Sequence, residues 1–139
     1  MEIPPTGTVT FLFTDVEGST RRWQDEPEAI RALLVEHDAI LRDVIDKHRG
    51  HSFKHTGDGV AAEFSSSADA VNAAVDAQER LLDVLPVRMG LHTDEAELRD
   101  SDYFGSTLNG CARLTGIAHG RQVVCSEATA PSNLGRAPT

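Results

Sequence analysis

Two carboxylates stand where the chain must change direction. Asp15 follows the apolar run TVTFLFT, and Asp58 sits in SFKHTGDGVAAEF between two short extended runs. Paired carboxylates are hard oxygen donors, the kind that hold Mg²⁺ or Mn²⁺ together with the phosphates of a substrate. Asp is equally common in turns, so each residue alone also reads as a turn-former. Glu17-Gly18-Ser19-Thr20 follows Asp15 directly. Glycine lets the backbone approach a ligand, and a helix opening at Ser19 or Thr20 would turn unpaired N–H groups toward an anion. The same residues would serve as an ordinary helix start, and neither a Walker loop nor G-x-G-x-x-G accompanies them.

Three further groups have chemical potential. Lys54 is one of only two lysines, with Lys47, and lies four residues before Asp58. Alternation places Lys54 and Asp58 on one sheet face, about 13 Å apart at roughly 3.3 Å per residue. Arg88 alternates with Val87 and Met89 and so faces away from their apolar side, where it could grip a phosphate or simply be solvated. In DSDYFGSTLNGCARL, Asn109 and Arg113 are four apart on a predicted helix and share a face, with Asp102 and Gly105 ahead of them. His48, His51 and His55 cluster in HRGHSFKH, but a helix-to-strand break divides them and no cysteine assists, which argues against a transition-metal site.

The elements that must position these residues follow from periodicity. Val9, Phe11 and Phe13 alternate against Thr8, Thr10, Leu12 and Thr14, giving a strand with one strongly apolar face. Asp25-x-x-Glu28 with Pro27 opens a long amphipathic helix whose apolar positions, Ile30 to Ile45, keep a helical period until Gly50. Gly57-Asp58 reads as a two-residue hairpin turn. Ser65-Ser66-Ser67 caps a second helix that stops before Pro86. A strand over 87–93, a polar loop or short strand over 95–103, a helix from Gly105 to Ile117 and a strand at Gln122–Cys125 complete the order. This predicts an α+β fold with a ferredoxin-like split βαβ (βαββαβ) core, helices on one face, plus an additional helix and strand. One domain is expected over 1–128, with 129–139 a flexible tail.

Composition limits the partners. The chain has 139 residues and a net charge of −9, which argues against nucleic acid and means that a bound cation would have to offset the charge of any phosphorylated ligand. Cys111 and Cys125 are too few and too unpatterned for a disulfide framework and read as buried, reduced thiols. No signal peptide and no run of eighteen apolar residues is visible, so the expectation is a cytoplasmic protein without a membrane span.

Taken together, the segments resemble a class III nucleotide cyclase catalytic domain, in particular the short mycobacterial-type adenylate cyclases. FTDVEGST is similar to the family's first metal motif and KHTGDG to its second, 43 residues on (58 − 15). VRMGLHT resembles the strand with a phosphate-contacting arginine. DYFGSTLNGCAR resembles the motif with the second base-reading residue and the transition-state Asn and Arg. The match runs from about Gly7 to Glu127.

The resemblance implies an activity: ATP converted to 3′,5′-cyclic AMP and pyrophosphate, for intracellular signalling. It implies two divalent cations, Mg²⁺ or Mn²⁺, held by Asp15 and Asp58 with the Val16 carbonyl. Gly18, Ser19 and Thr20 would lie along the substrate, Arg88 would hold the terminal phosphates, and Lys54 and Asp102 would read the base. Asn109 would orient the ribose and Arg113 would neutralise charge on the α-phosphate. Such domains pair head to tail, and this chain has both halves of the site, which implies a homodimer with two shared sites.

The sequence departs from the pattern at two places. Asp94 stands where the family has Gly, and the family's later strands, with a phosphate-contacting lysine, are expected to be lacking. A catalytically weak or inactive nucleotide-binding or dimerisation module of the same fold is the alternative. A diguanylate cyclase is disfavoured, because TGDGVAAEF lacks a Gly-Gly-Asp-Glu-Phe signature.

Overall fold

The computed structural model describes residues 7–99, 102–104, 106–126 and 129; at 94, 96–99, 102–104 and 106–110 the description is of the backbone alone. Strand β1 (Gly7–Val16) is followed by a short helix α1 (Ser19–Asp25) and the long helix α2 (Pro27–Lys47). Pro27 stands at the start of α2 and disfavours helical geometry at the residue before it. Glu26 accordingly leaves the helical region (φ −142°, ψ 63°), and this break separates the two helices. At the other end Arg49 is left-handed (φ 64°), and the Gly50 N–H returns to the Ile45 carbonyl at 2.8 Å, closing the helix.

Strands β2 (His51–His55) and β3 (Val60–Phe64) form the expected hairpin, then helix α3 (Ser67–Leu81) runs back along the sheet. Ser66 caps α3, its hydroxyl accepting the Asp69 N–H at 3.2 Å. Strand β4 (Val87–Arg99) extends beyond the expected 87–93 and pairs antiparallel with β5 (Asp102–Phe104), so of the two readings of the polar stretch, loop or short strand, the strand holds. Helix α4 (Ser106–Ile117) and strand β6 (Val123–Cys125) follow.

The sheet runs β2-β3-β1-β4-β5, with β6 beside β4. The first four strands are antiparallel to their neighbours in the order β2-β3-β1-β4, which is the split βαβ core; β6 adds a parallel pairing.

Both faces of the sheet are used. Leu12 and Val16 of β1, with Val87, Met89 and Leu91 of β4, pack under α2 and α3 against Ile30, Leu41, Ile45, Ala73, Ala77 and Leu81. Each of the larger side chains contributes about 1.5–3 kcal/mol by leaving water. Val9, Phe11 and Phe13 point the other way and meet Phe53 and Cys111. The apolar face legible in β1 is therefore not the face of the main core. A central strand is buried twice, and the Leu12 face holds the larger cluster.

Helix α4 covers that second face. Gly90 makes its seat: a Cβ there would lie 2.4 Å from Thr115 Oγ1 and 2.7 Å from the Thr115 nitrogen. The Cys111 thiol reaches the Gly90 carbonyl at 3.4 Å, and burial pushes its pKa up to about 12. Thr115 Oγ1 donates to the Cys111 carbonyl at 3.0 Å. Thr129, the first residue of the expected tail, is buried and joins a hydroxyl chain through Thr93 (2.9 Å) to Thr10 (2.7 Å). The rest of that tail lies outside the described residues.

Candidate active site

The site forms at the C-terminal end of β1. Register fixes its main contact: Asp15 pairs with Arg88 across β1 and β4, on the face opposite Val16 and Val87. The guanidinium forks onto the carboxylate, Nε to Oδ1 at 2.6 Å and Nη2 to Oδ2 at 2.8 Å. Both side chains are partly buried, 31% exposed for Asp15 and 28% for Arg88, so this pair is less screened than a surface ion pair. Donating to the Asp15 carboxylate raises the Arg88 pKa, and the charges of Asp15, Glu17 and Asp58 add to it. Of the three, Asp15 alone contacts the guanidinium; Glu17 and Asp58 act on it through charge.

Asp58 reaches this place through the hairpin tip. The connection is a four-residue loop over 56–59, since His55 pairs with Val60, and not a two-residue turn. The Thr56 N–H closes it on the Gly59 carbonyl at 2.9 Å. Gly59 is the residue this geometry requires: a Cβ would sit 2.3 Å from the Thr14 carbonyl oxygen. Thr14 Oγ1 also accepts the Val60 N–H at 3.1 Å. The tip is thus fastened to β1 one residue before Asp15, and Asp58 is brought alongside.

Ser19 completes the junction. Gly18 is left-handed (φ 69°) and turns the chain into α1. The Ser19 hydroxyl then donates to Asp58 Oδ2 at 2.7 Å. The nearby segment is anchored by the Glu17 N–H on the Pro86 carbonyl at 2.9 Å. Thr20 is exposed on the first turn of α1, and the Val16 side chain is buried in the core while its backbone lies in the β1 ladder.

Other candidates are placed around this centre. A bulge between Ser52 and Lys54 sets Lys54 opposite Ala61, which itself pairs with Phe13, so Lys54 belongs to the Asp15 face and is exposed. Arg113 is exposed on α4, away from the buried Cys111, Thr115 and Ala118. Asn109 lies one turn before it in α4, and Asp102 opens β5 opposite Arg99. The side chains of Asn109, Asp102 and Asp94 lie outside the described set.

Three histidines fall to three separate partners: His48 to Asp76 (3.0 Å), His51 to Glu63 (2.6 Å) and His55 to Asp38 (3.4 Å). Sequence reading missed Gly59 and the Ser19–Asp58 bond. The second glycine of Gly-Asp-Gly was the available signal for the first; nothing in the sequence pointed to the second.

The donor set fits a hard divalent cation. Asp15 and Asp58 supply carboxylate oxygens only, and both Asp15 oxygens already hold a cationic group. Among the described residues no three His, Cys, Asp or Glu side chains form a ready cage.

Residues 1–98 match the family model described as "Adenylate and Guanylate cyclase catalytic domain", and the chain belongs to that family, a class III cyclase domain. An uncharacterized protein of Mycobacterium tuberculosis is 43% identical over 138 residues, covering 98% of this chain and 48% of the relative. The adenylate cyclase of Lachancea kluyveri is 30% identical over 155 residues, covering 88% of this chain and 8% of that protein. Adenylate cyclases from Trypanosoma brucei in their monomeric state share the fold, with TM-score 0.84, 24% identity, and coverage of 92% of this chain and 77% of theirs. The chain spans about half the length, or less, of the curated relatives it matches. No helix among the described residues is long and apolar enough to cross a membrane.

Proposed function

We propose that this domain is an adenylate cyclase, converting ATP to 3′,5′-cyclic AMP and pyrophosphate in sites shared by two copies of the chain. The observation that carries the reading is the meeting of Asp15, Asp58 and Arg88 at the end of β1, two oxygen-donor carboxylates beside a phosphate-sized cation. The adenylate cyclase relative at 30% identity supports it.

In this reading the ribose 3′-oxygen attacks the α-phosphorus in line. The bond from phosphorus to the bridging oxygen of the β-phosphate breaks, pyrophosphate leaves, and the 3′-OH proton passes to solvent. Asp15, Asp58 and the Val16 carbonyl would hold divalent cations, Mg²⁺ or Mn²⁺, which when bound would acidify that hydroxyl and neutralise phosphate charge. Arg88 holds the terminal phosphates, and the Gly18-Ser19-Thr20 turn lies along the triphosphate. On the partner copy, Arg113 offsets charge developing on the α-phosphate and Asn109 orients the ribose.

Base choice follows from donors and acceptors. Lys54 donates to adenine N1 and Asp102 accepts from the 6-amino group. Guanine presents N1–H and O6 at the same places, so the pair would face two mismatched contacts, and buried polar groups left unpaired are costly.

The test is product identification after incubation with Mn²⁺-ATP, with Asp58→Ala as control. Cyclic AMP from the wild type and not from the variant is the expected result. No cyclic nucleotide from either would leave the alternative, an inactive module of the same fold. Preference for ATP surviving Lys54→Glu with Asp102→Cys would overturn the base-reading assignment.

A further inference from the structure

We propose that Arg88 is the resident counter-ion of Asp15, and that a divalent cation enters the site by exchanging with the Arg88 guanidinium, which is thereby released to grip the triphosphate. This rests on the cyclase reading and adds to it an order of events: cation binding and phosphate capture are one coupled exchange at a single carboxylate.

The geometry leaves little alternative at Asp15. Its two oxygens are each taken by a separate guanidinium nitrogen, at 2.6 and 2.8 Å. A planar fork meeting a carboxylate in this way takes one lone pair on each oxygen, the pair of directions a chelating metal would use. The pair is fixed by backbone register rather than by chance contact of long side chains, since residues 15 and 88 are cross-strand partners. The second carboxylate is held differently: Asp58 accepts the neutral Ser19 hydroxyl, which carries no charge for an incoming cation to displace.

The site is therefore asymmetric. A cation can reach Asp58 against a hydroxyl, but to chelate Asp15 it must replace a positive charge. An anionic triphosphate drawing Arg88 away lowers that barrier, and by linkage the cation raises affinity for the triphosphate by the same factor. Cation alone should bind weakly to the free protein, whereas the cation–nucleotide complex should bind well.

The test measures Mn²⁺ binding without nucleotide, by electron paramagnetic resonance of the free ion, to the full chain and to Arg88→Ala, Arg88→Lys and Asp15→Ala. Arg88→Ala is expected to bind Mn²⁺ roughly tenfold more tightly than wild type, within the range usual for coupled sites. Arg88→Lys keeps the charge but cannot fork, and should also bind more tightly than wild type, by less. Arg88→Lys equal to wild type would reduce the effect to bulk charge and overturn the exchange. Equal affinity in wild type and Arg88→Ala, with binding still lost in Asp15→Ala, would overturn the exchange and leave the cyclase reading standing. No Asp15-dependent binding in any of them would remove both. A second readout needs no substitution at position 88: in wild type, adding Mg²⁺ with an unreactive ATP analogue should shift the Arg88 Nε–H resonance, while Mg²⁺ alone should shift it much less. A resonance unmoved by the Mg²⁺–analogue complex would overturn the exchange.

Discussion

The two faces of β1 do opposite work with the same alternation. On one, Leu12 and Val16 join α2 and α3 in an apolar cluster sealed from water. On the other, Val9, Phe11 and Phe13 support α4 and the hairpin, then give way to Asp15. One side stays core along its length, with Thr10 and Thr14 buried and hydrogen-bonded beside its apolar groups; the other changes from packing to a charged pair within two residues. The lesson is that stability and activity in this domain are separable by residue parity along a single strand.

That separation can be broken deliberately. The largest expected effect is on the chemical side: Asp58→Ala should lower cyclic AMP formation by about 10²–10³-fold or more, the scale of losing a charge-stabilising group. Its thermal unfolding midpoint should stay within a few degrees of wild type, because Asp58 is only half-buried. Leu41→Ala, on the other face, should cost about 2–5 kcal/mol in denaturant unfolding with turnover per folded molecule retained. If Leu41→Ala abolished turnover while leaving stability intact, the division by face would be wrong.

Gly90→Ala tests where the two meet. The added methyl must push α4 off the strand, costing about 1–3 kcal/mol. Turnover should fall with it, since α4 carries Asn109 and Arg113. Adding Thr115→Ala should not restore either, because the Thr115 backbone nitrogen obstructs as well. Mixing Asp15→Ala and Asn109→Ala chains sharpens the shared-site reading. Half the pairs would be mixed, each with one intact site, giving about a quarter of wild-type activity. Persistent inactivity of the mixture would refute shared sites.

The smallest effect is one of pH, far from the site. Hydrogen bonding to His48 lowers the Asp76 pKa below 3.8, assisted by Lys47 and Arg80. A carboxyl with a depressed folded pKa contributes stability that is full above its unfolded value and fades as pH falls through the folded one. Asp76→Asn should therefore lose stability near neutral pH relative to wild type, and the gap should close on acidification below about pH 4. Denaturant midpoints across pH 3–7 would measure it.

Much of this was legible in the sequence, and the reason is chemical punctuation. Helix α2 was readable from Pro27 and the period of Ile30 to Ile45, and α3 from its serine cap. Asp15, Asp58 and Arg88 were readable because charged residues stood at breaks in otherwise apolar patterns. What was not legible depended on tertiary neighbours. The sequence shows one strongly apolar face of β1, that of Val9, Phe11 and Phe13, and cannot tell that both faces would be covered. The hairpin loop was read one step too short, since only the approach of Thr14 shows that Gly59, not Gly57, is the constrained residue. The stretch beyond residue 93 stayed open between loop and short strand because its polar residues gave no apolar alternation.

The pairing of Asp15 with Arg88 has a consequence for assembly of the sheet itself. Slippage of β4 by one position against β1 would turn Arg88 inward, where Val87 and Met89 now lie, and strand a guanidinium in hydrocarbon. The charge paired with Asp15 therefore also acts as a proofreading mark: a misaligned sheet is rejected by the cost of burying it.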